Sequence, residues 1–107
     1  MAQAEIFAGI CGFTTHVAAH KNGSGQVALS IESECKAIRR LAGTLTEVDP
    51  FREFTFHGQG PLTLQLASTY CSHAACPVPV GIIKAIEVEA GLALPADVTI
   101  RISKDEV

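Results

Sequence analysis

The chain is 107 residues long, 48% hydrophobic and 18% charged, with a formal net charge of −3. That length holds one domain, residues 1–107, and that composition excludes disorder. Only Arg39 and Arg40 form an adjacent basic pair, so the clustered cations that neutralise phosphates are missing and no nucleic acid partner is expected.

The opening residues lack the basic start and apolar run of a secretory signal, and no stretch approaches the roughly 20 apolar residues of a bilayer span. The expectation is a cytoplasmic protein with no membrane contact. In a reducing compartment its four cysteines would be packed hydrophobes, metal ligands or redox thiols rather than permanent disulfides.

Residues 4–8 and 13–21 read as extended, with breaks near Gly9 and Gly12. Thr15, Val17 and Ala19 alternate with Thr14, His16 and His20, as in a strand covered on one face. Lys21-Asn22-Gly23-Ser24-Gly25 is a turn signal, and Val27, Leu29 and Ile31 resume the alternation beyond it. Ser33 is a candidate N-cap; Cys35, Ile38, Leu41, Ala42 and Leu45 then recur at helical spacing, predicting an amphipathic helix over 34–45.

Asp49-Pro50 marks a turn. Phe54 and Phe56 allow a short strand within 51–59, and residues 62–70 fit either helix or strand. A helix beginning near Pro79 runs through Ile82, Ile83, Ile86 and Ala90 to a stop at Gly91. Val98, Ile100 and Ile102 alternate with Thr99, Arg101 and Ser103, predicting a last strand. The order β-β-α-(β)-α-β implies an α+β fold, a mainly antiparallel sheet with helices packed on one face.

The chemistry concentrates in the cysteines. A three-residue hairpin loop pairs Lys21 with Gly25 and sets Cys11 opposite Cys35 on the core side; a five-residue loop shifts the register by two. Cys35 falls in the first turn of one predicted helix and Cys76 just before another, where the helix dipole favours a thiolate. Cys71-Ser72-His73-Ala74-Ala75-Cys76-Pro77 is the densest piece, although its spacing is not that of a zinc knuckle. If Cys11, Cys35, Cys71 and Cys76 converge, four sulfurs suit an iron–sulfur cluster or tetrahedral zinc, with His73 able to replace one thiol.

Other polar residues carry less. His16 and His20 share a strand face but stand about 13 Å apart, too far to chelate one ion together. His57 has no visible partner, and Glu87 and Glu89 cannot face each other on one helix. The glycine-rich turn after Lys21 lacks the Lys-Ser/Thr end of a phosphate loop.

GICGF (residues 9–13), SECK (33–36), HAACPVP (73–79) and KAIEVEAGLALP (84–95) together resemble a small uncharacterised family, a domain of unknown function found largely in anaerobic bacteria and archaea. That resemblance spans nearly the whole chain and implies no assigned activity; an anaerobic setting favours iron–sulfur chemistry. Cys76-Pro77-Val78 is also similar to the helix start around the reactive cysteine of OsmC-like peroxidases, but the chain is shorter and places no Arg or Glu beside Cys76.

Three readings follow. The first is a module that binds a metal or iron–sulfur centre through the four thiols. The second is a thiol enzyme in which Cys76 attacks peroxide or a disulfide and Cys71 resolves it. The third is an interaction protein with packed thiols. A homodimer is open to any of them, because small sheets pair their exposed edges.

Overall fold

The structure, a computed structural model, describes residues 1–105. β1 (Ala2–Phe7), β2 (Thr14–Lys21), β3 (Val27–Ser33) and β4 (Glu47–Val48) form one antiparallel sheet in chain order. α1 (Lys36–Thr44) follows β3, and α2 (Pro50–Glu53), α3 (Leu62–Tyr70) and α4 (Val78–Glu89) follow β4. α4 packs on β1 and β2, α1 packs on β3, and α3 touches both of these helices. This is the expected α+β architecture with one covered sheet face.

Strand alternation decides which face is covered. Thr15, Val17, Ala19 and Val27 are buried beneath the helices, whereas Glu5, His16, Ser30 and Glu32 point to water. The helices return the complementary stripes: Ile38, Leu41 and Leu45 from α1 and its C-cap, and Val78, Ile82, Ala85 and Ile86 from α4. Thr15 is polar within this layer, and its hydroxyl donates to Ser33 Oγ at 2.9 Å, so no unpaired group results.

Two glycine-dependent features set the geometry. The β2–β3 loop has five residues, not three, because Asn22 Oδ1 accepts from the Ser24 and Gln26 backbone N–H groups and the Ser24 hydroxyl. Lys21 therefore pairs with Val27, and Gly25 takes the positive φ of 85° that the loop requires. On α4, Gly81 lies so close to Ile6 of β1 that a Cβ would overlap the isoleucine side chain. The absent side chain lets this helix settle onto the sheet.

α4 ends where β2 ends. Glu89 Oε2 accepts the Lys21 backbone N–H at 2.8 Å, and Oε1 lies 3.6 Å from the amino-terminal ammonium. The Lys21 bond, aided by the ammonium against the opposing effect of burial, holds this carboxyl below its ordinary range.

Residues 49–63 contain a second polar anchor. Asp49 caps α2 by accepting from the Phe51 N–H at 3.0 Å, so the expected turn is a helix start and residues 54–56 form no strand. Glu53, 1% exposed, then sends its carboxylate to the start of α3, accepting from the Leu62 N–H at 2.7 Å, the Thr63 N–H at 2.9 Å and the Thr63 hydroxyl. These bonds satisfy orphan donors of a helix whose own N-cap, Pro61, offers no side-chain oxygen. They also decide that residues 62–70 are helical.

The predicted last strand is absent. Residues 94–105 carry no regular structure, and Val98, Ile100 and Ile102 are 54%, 72% and 90% exposed. Alternation gives the segment the pattern of a strand, but no neighbouring strand in this chain pairs with it.

Replacing Glu53 by Ala should cost about 3 kcal/mol in urea unfolding, since it strands donors in a buried site. Gly81→Ala should lose up to about 2 kcal/mol from overpacking, net of better helix propensity, and Ile6→Ala in the same chain should recover part of that loss.

Candidate functional site

Cys71 lies within electrostatic range of both Cys76 and Cys35. Cys35 is the N-cap of α1, Cys71 the C-cap of α3, and Cys76 immediately precedes Pro77, the N-cap of α4. Each is half-buried and packs against the margin of the core. α3 and α4 are joined by the short segment 71–77, and α3 leans on α1, the Tyr70 hydroxyl of its last turn lying 3.1 Å from Thr44 Oγ1.

Local bonds place each of them. The Cys35 N–H donates to Ser33 Oγ at 3.1 Å, so the serine expected to cap α1 instead braces the cysteine at the N-cap position, whose own side chain makes no capping bond. The Cys71 N–H closes α3 on Ala67 O at 2.8 Å. The Cys76 N–H reaches His73 O at 3.3 Å, curling the loop before Pro77. Arg39 Nε donates to Ser33 O at 2.6 Å and pins the strand-to-helix corner from outside.

Their proximity has an electrostatic signature. Burial pushes the Cys71 thiol above its ordinary value, and the neighbouring Cys76 and then Cys35 push it further, because a second thiolate is disfavoured beside a first. Cys71 also sits at the C-terminal end of α3, the negative end of the helix dipole.

Cys11 does not join them. The expected Cys11–Cys35 opposition needed β2 to continue back through residue 11, but β2 starts at Thr14. Residues 8–13 instead turn the chain from β1 into β2, with Ala8 N–H bonded to Phe13 O at 3.0 Å and Gly9 and Gly12 at positive φ. Cys11 is exposed in that turn. His73 is exposed as well. A convergence of four sulfurs is therefore not formed, and no group of three or more His, Cys, Asp or Glu side chains among the described residues is arranged to hold a metal ion.

The surroundings hold two features that motif reading missed. Phe7 and Ile10 are 64% and 104% exposed in the turn around Cys11, which lies at the sheet end from which β3 runs into Cys35. On the open sheet face, His16 pairs with Glu5 on one side and Glu32 on the other, and its Nδ1 lies 3.7 Å from Glu5 Oε2. The period-two alternation could have exposed that row; the strand order needed to align it was not readable. His20 is exposed on the same face, and His57 is exposed in the loop after α2.

The fold and site together define a small α+β domain with Cys35, Cys71 and Cys76 at helix ends on the margin of its core. The chain belongs to the Family of unknown function (DUF6951), which matches residues 2–102. No curated protein and no solved structure matches it. No helix among the described residues is long and apolar enough to cross a membrane.

The raised Cys71 value makes a pH prediction. With the folded pKa above the unfolded one, its contribution to stability is complete below the ordinary thiol range and is lost as pH rises through the folded value. Iodoacetamide labelling at pH 8 should accordingly modify exposed Cys11 first and Cys71 far more slowly, the gap narrowing as pH rises; equal rates at pH 8 would contradict the raised Cys71 value.

Proposed function

We propose that Cys35, Cys71 and Cys76 form a redox-active thiol centre that cycles between dithiol and disulfide. The observation that carries this reading is three half-buried free thiols from three separate elements, with the Cys71 thiolate disfavoured by its burial and then by Cys76 and Cys35. A thiol pair answers that repulsion by becoming a neutral disulfide.

Chemically, the oxidant is a low-molecular-weight disulfide. Cys76, on the curled loop before α4, attacks one of its sulfurs as a thiolate and releases the other as a thiolate. Cys71 resists ionisation and so takes the resolving part: it loses its proton to the medium, attacks Cys76 Sγ and expels the second small thiol. Two protein thiols become one Cys71–Cys76 disulfide, and the oxidant leaves as two thiols. The five-residue separation within an exposed loop leaves freedom for the sulfurs to close.

One observation favours a second reading. A disulfide uses two sulfurs, and the cluster has three. Three sulfurs suit a soft metal such as zinc, or an iron–sulfur cluster, with a fourth ligand brought in from the exposed turn of Cys11 or from His73. Such a site needs loop movement, since no ready-made ligand group exists among the described residues.

One preparation tests both. Reduced protein purified without oxygen is treated with oxidised glutathione, its remaining thiols are blocked with N-ethylmaleimide, and the products are mapped by mass spectrometry. The redox reading expects two blocked thiols and a Cys71–Cys76 cross-link, and expects Cys71→Ser to trap glutathione on Cys76. Four blocked thiols would sink it. Metal and labile sulfide bound in the same preparation, lost in Cys35→Ser, would put the ligand reading in its place.

A further inference from the structure

The sheet has one long free edge and the chain has one unpaired strand-like segment. β1 stands at the edge of the sheet, with all six of its residues paired to β2 on one side only. Residues 98–103 are also six in number and alternate Val98, Ile100 and Ile102 with Thr99, Arg101 and Ser103. On β1 the even residues Ala2, Ala4 and Ile6 turn inward and the odd residues Gln3, Glu5 and Phe7 turn outward. On the tail the even residues are again the apolar ones. In a register that sets Arg101 beside Glu5, even numbers face even numbers in either strand direction, so apolar side chains extend the covered face.

Charge agrees with that register. The open face beside the edge presents Glu5, with Glu32 two strands further in, and Arg101 would bring a cation to Glu5. Exposure agrees too. Three large apolar side chains standing free in water at one segment call for a covering surface, and β1 has no strand paired along its outer side.

The tail does not use its own edge. α4 finishes beside Lys21 and the amino terminus, next to the Ala2 end of β1, yet residues 94–105 run clear of the domain. Leu94, at the start of this segment, is 89% exposed, and Pro95 after it disfavours a helical turn there. The long dimension of the chain is 55 Å, against 28 and 27 Å across it. A segment that projects from the domain while matching an edge in length, parity and charge is placed to reach another molecule.

We propose that residues 98–103 add as a fifth strand to the β1 edge of a second copy of this chain, and that two copies exchange tails about a two-fold axis. The exchange gives both sheets five strands and covers both long edges, the closed symmetry expected of a reciprocal contact. It is independent of the thiol chemistry, since the tail leaves from the sheet end opposite Cys35.

Sedimentation equilibrium of the full chain, in a reducing buffer at tens of micromolar, reads the result directly. The expected mass is that of a dimer. Ile100→Lys should raise the dissociation constant at least about tenfold while leaving the far-ultraviolet circular dichroism of the domain intact. Arg101→Glu should weaken the dimer, and Glu5→Lys combined with Arg101→Glu should restore it. A monomeric full chain, or a dimer indifferent to Ile100→Lys, overturns the proposal. A monomer whose residue 98–103 amides exchange slowly overturns it in favour of the chain's own edge, and a double variant no tighter than Arg101→Glu alone overturns the assignment to β1.

Discussion

A buried carboxylate at the start of α3 organises the functional end of this domain. Glu53 comes from the four-residue helix α2, and its oxygens hold the Leu62 and Thr63 N–H groups and the Thr63 hydroxyl. A charge so enclosed is tolerated because the helix terminus answers it with donors and a positive dipole end. With the first turn of α3 held there, the nine residues of the helix fix where its last turn delivers Cys71. The thiol that senses its neighbours is thus positioned by a side chain eighteen residues earlier in the chain that has no part in sulfur chemistry.

The thiol site itself is a junction rather than a motif. Cys35 arrives at the close of the sheet, Cys71 at the close of one helix and Cys76 at the opening of another. No spacing rule would unite them, since α3 must first lean on α1 for Cys71 to approach Cys35. The arrangement leaves each sulfur partly covered by core side chains while the intervening His73 and Ala74 stay exposed. Half-buried sulfur beside an exposed loop is the arrangement on which the proposed bond exchange rests.

Most of the architecture was legible because its signals are local. Alternation in β2 and β3, the helical stripe of Ile38, Leu41 and Leu45, and the proline-marked start and glycine stop of α4 all appear in the fold. The failures are of range. The side chain of Asn22 lengthened the hairpin loop, Glu53 settled the helix at 62–70, and pairing with β3 made a two-residue strand of Glu47 and Val48. Residues 98–103 have strand propensity but no adjacent strand in the same chain, which local pattern does not report. The Cys11–Cys35 pairing failed for the same kind of reason, since the turn over 8–13 belongs to the β1–β2 hairpin and leaves Cys11 exposed.

α4 runs between two dissimilar poles. Its start adjoins the thiols and its end is moored to Lys21, about 18 Å along the axis for twelve residues. Gly81 seats on Ile6 with no spare room, so sliding the helix along its axis would drive backbone into a side chain of the sheet. The helix therefore behaves as a clamped bar rather than a piston. Under the proposed thiol chemistry, rearrangement among the sulfurs would fall to the loop before Pro77, and the far pole, where the tail departs, would stay mechanically deaf to it.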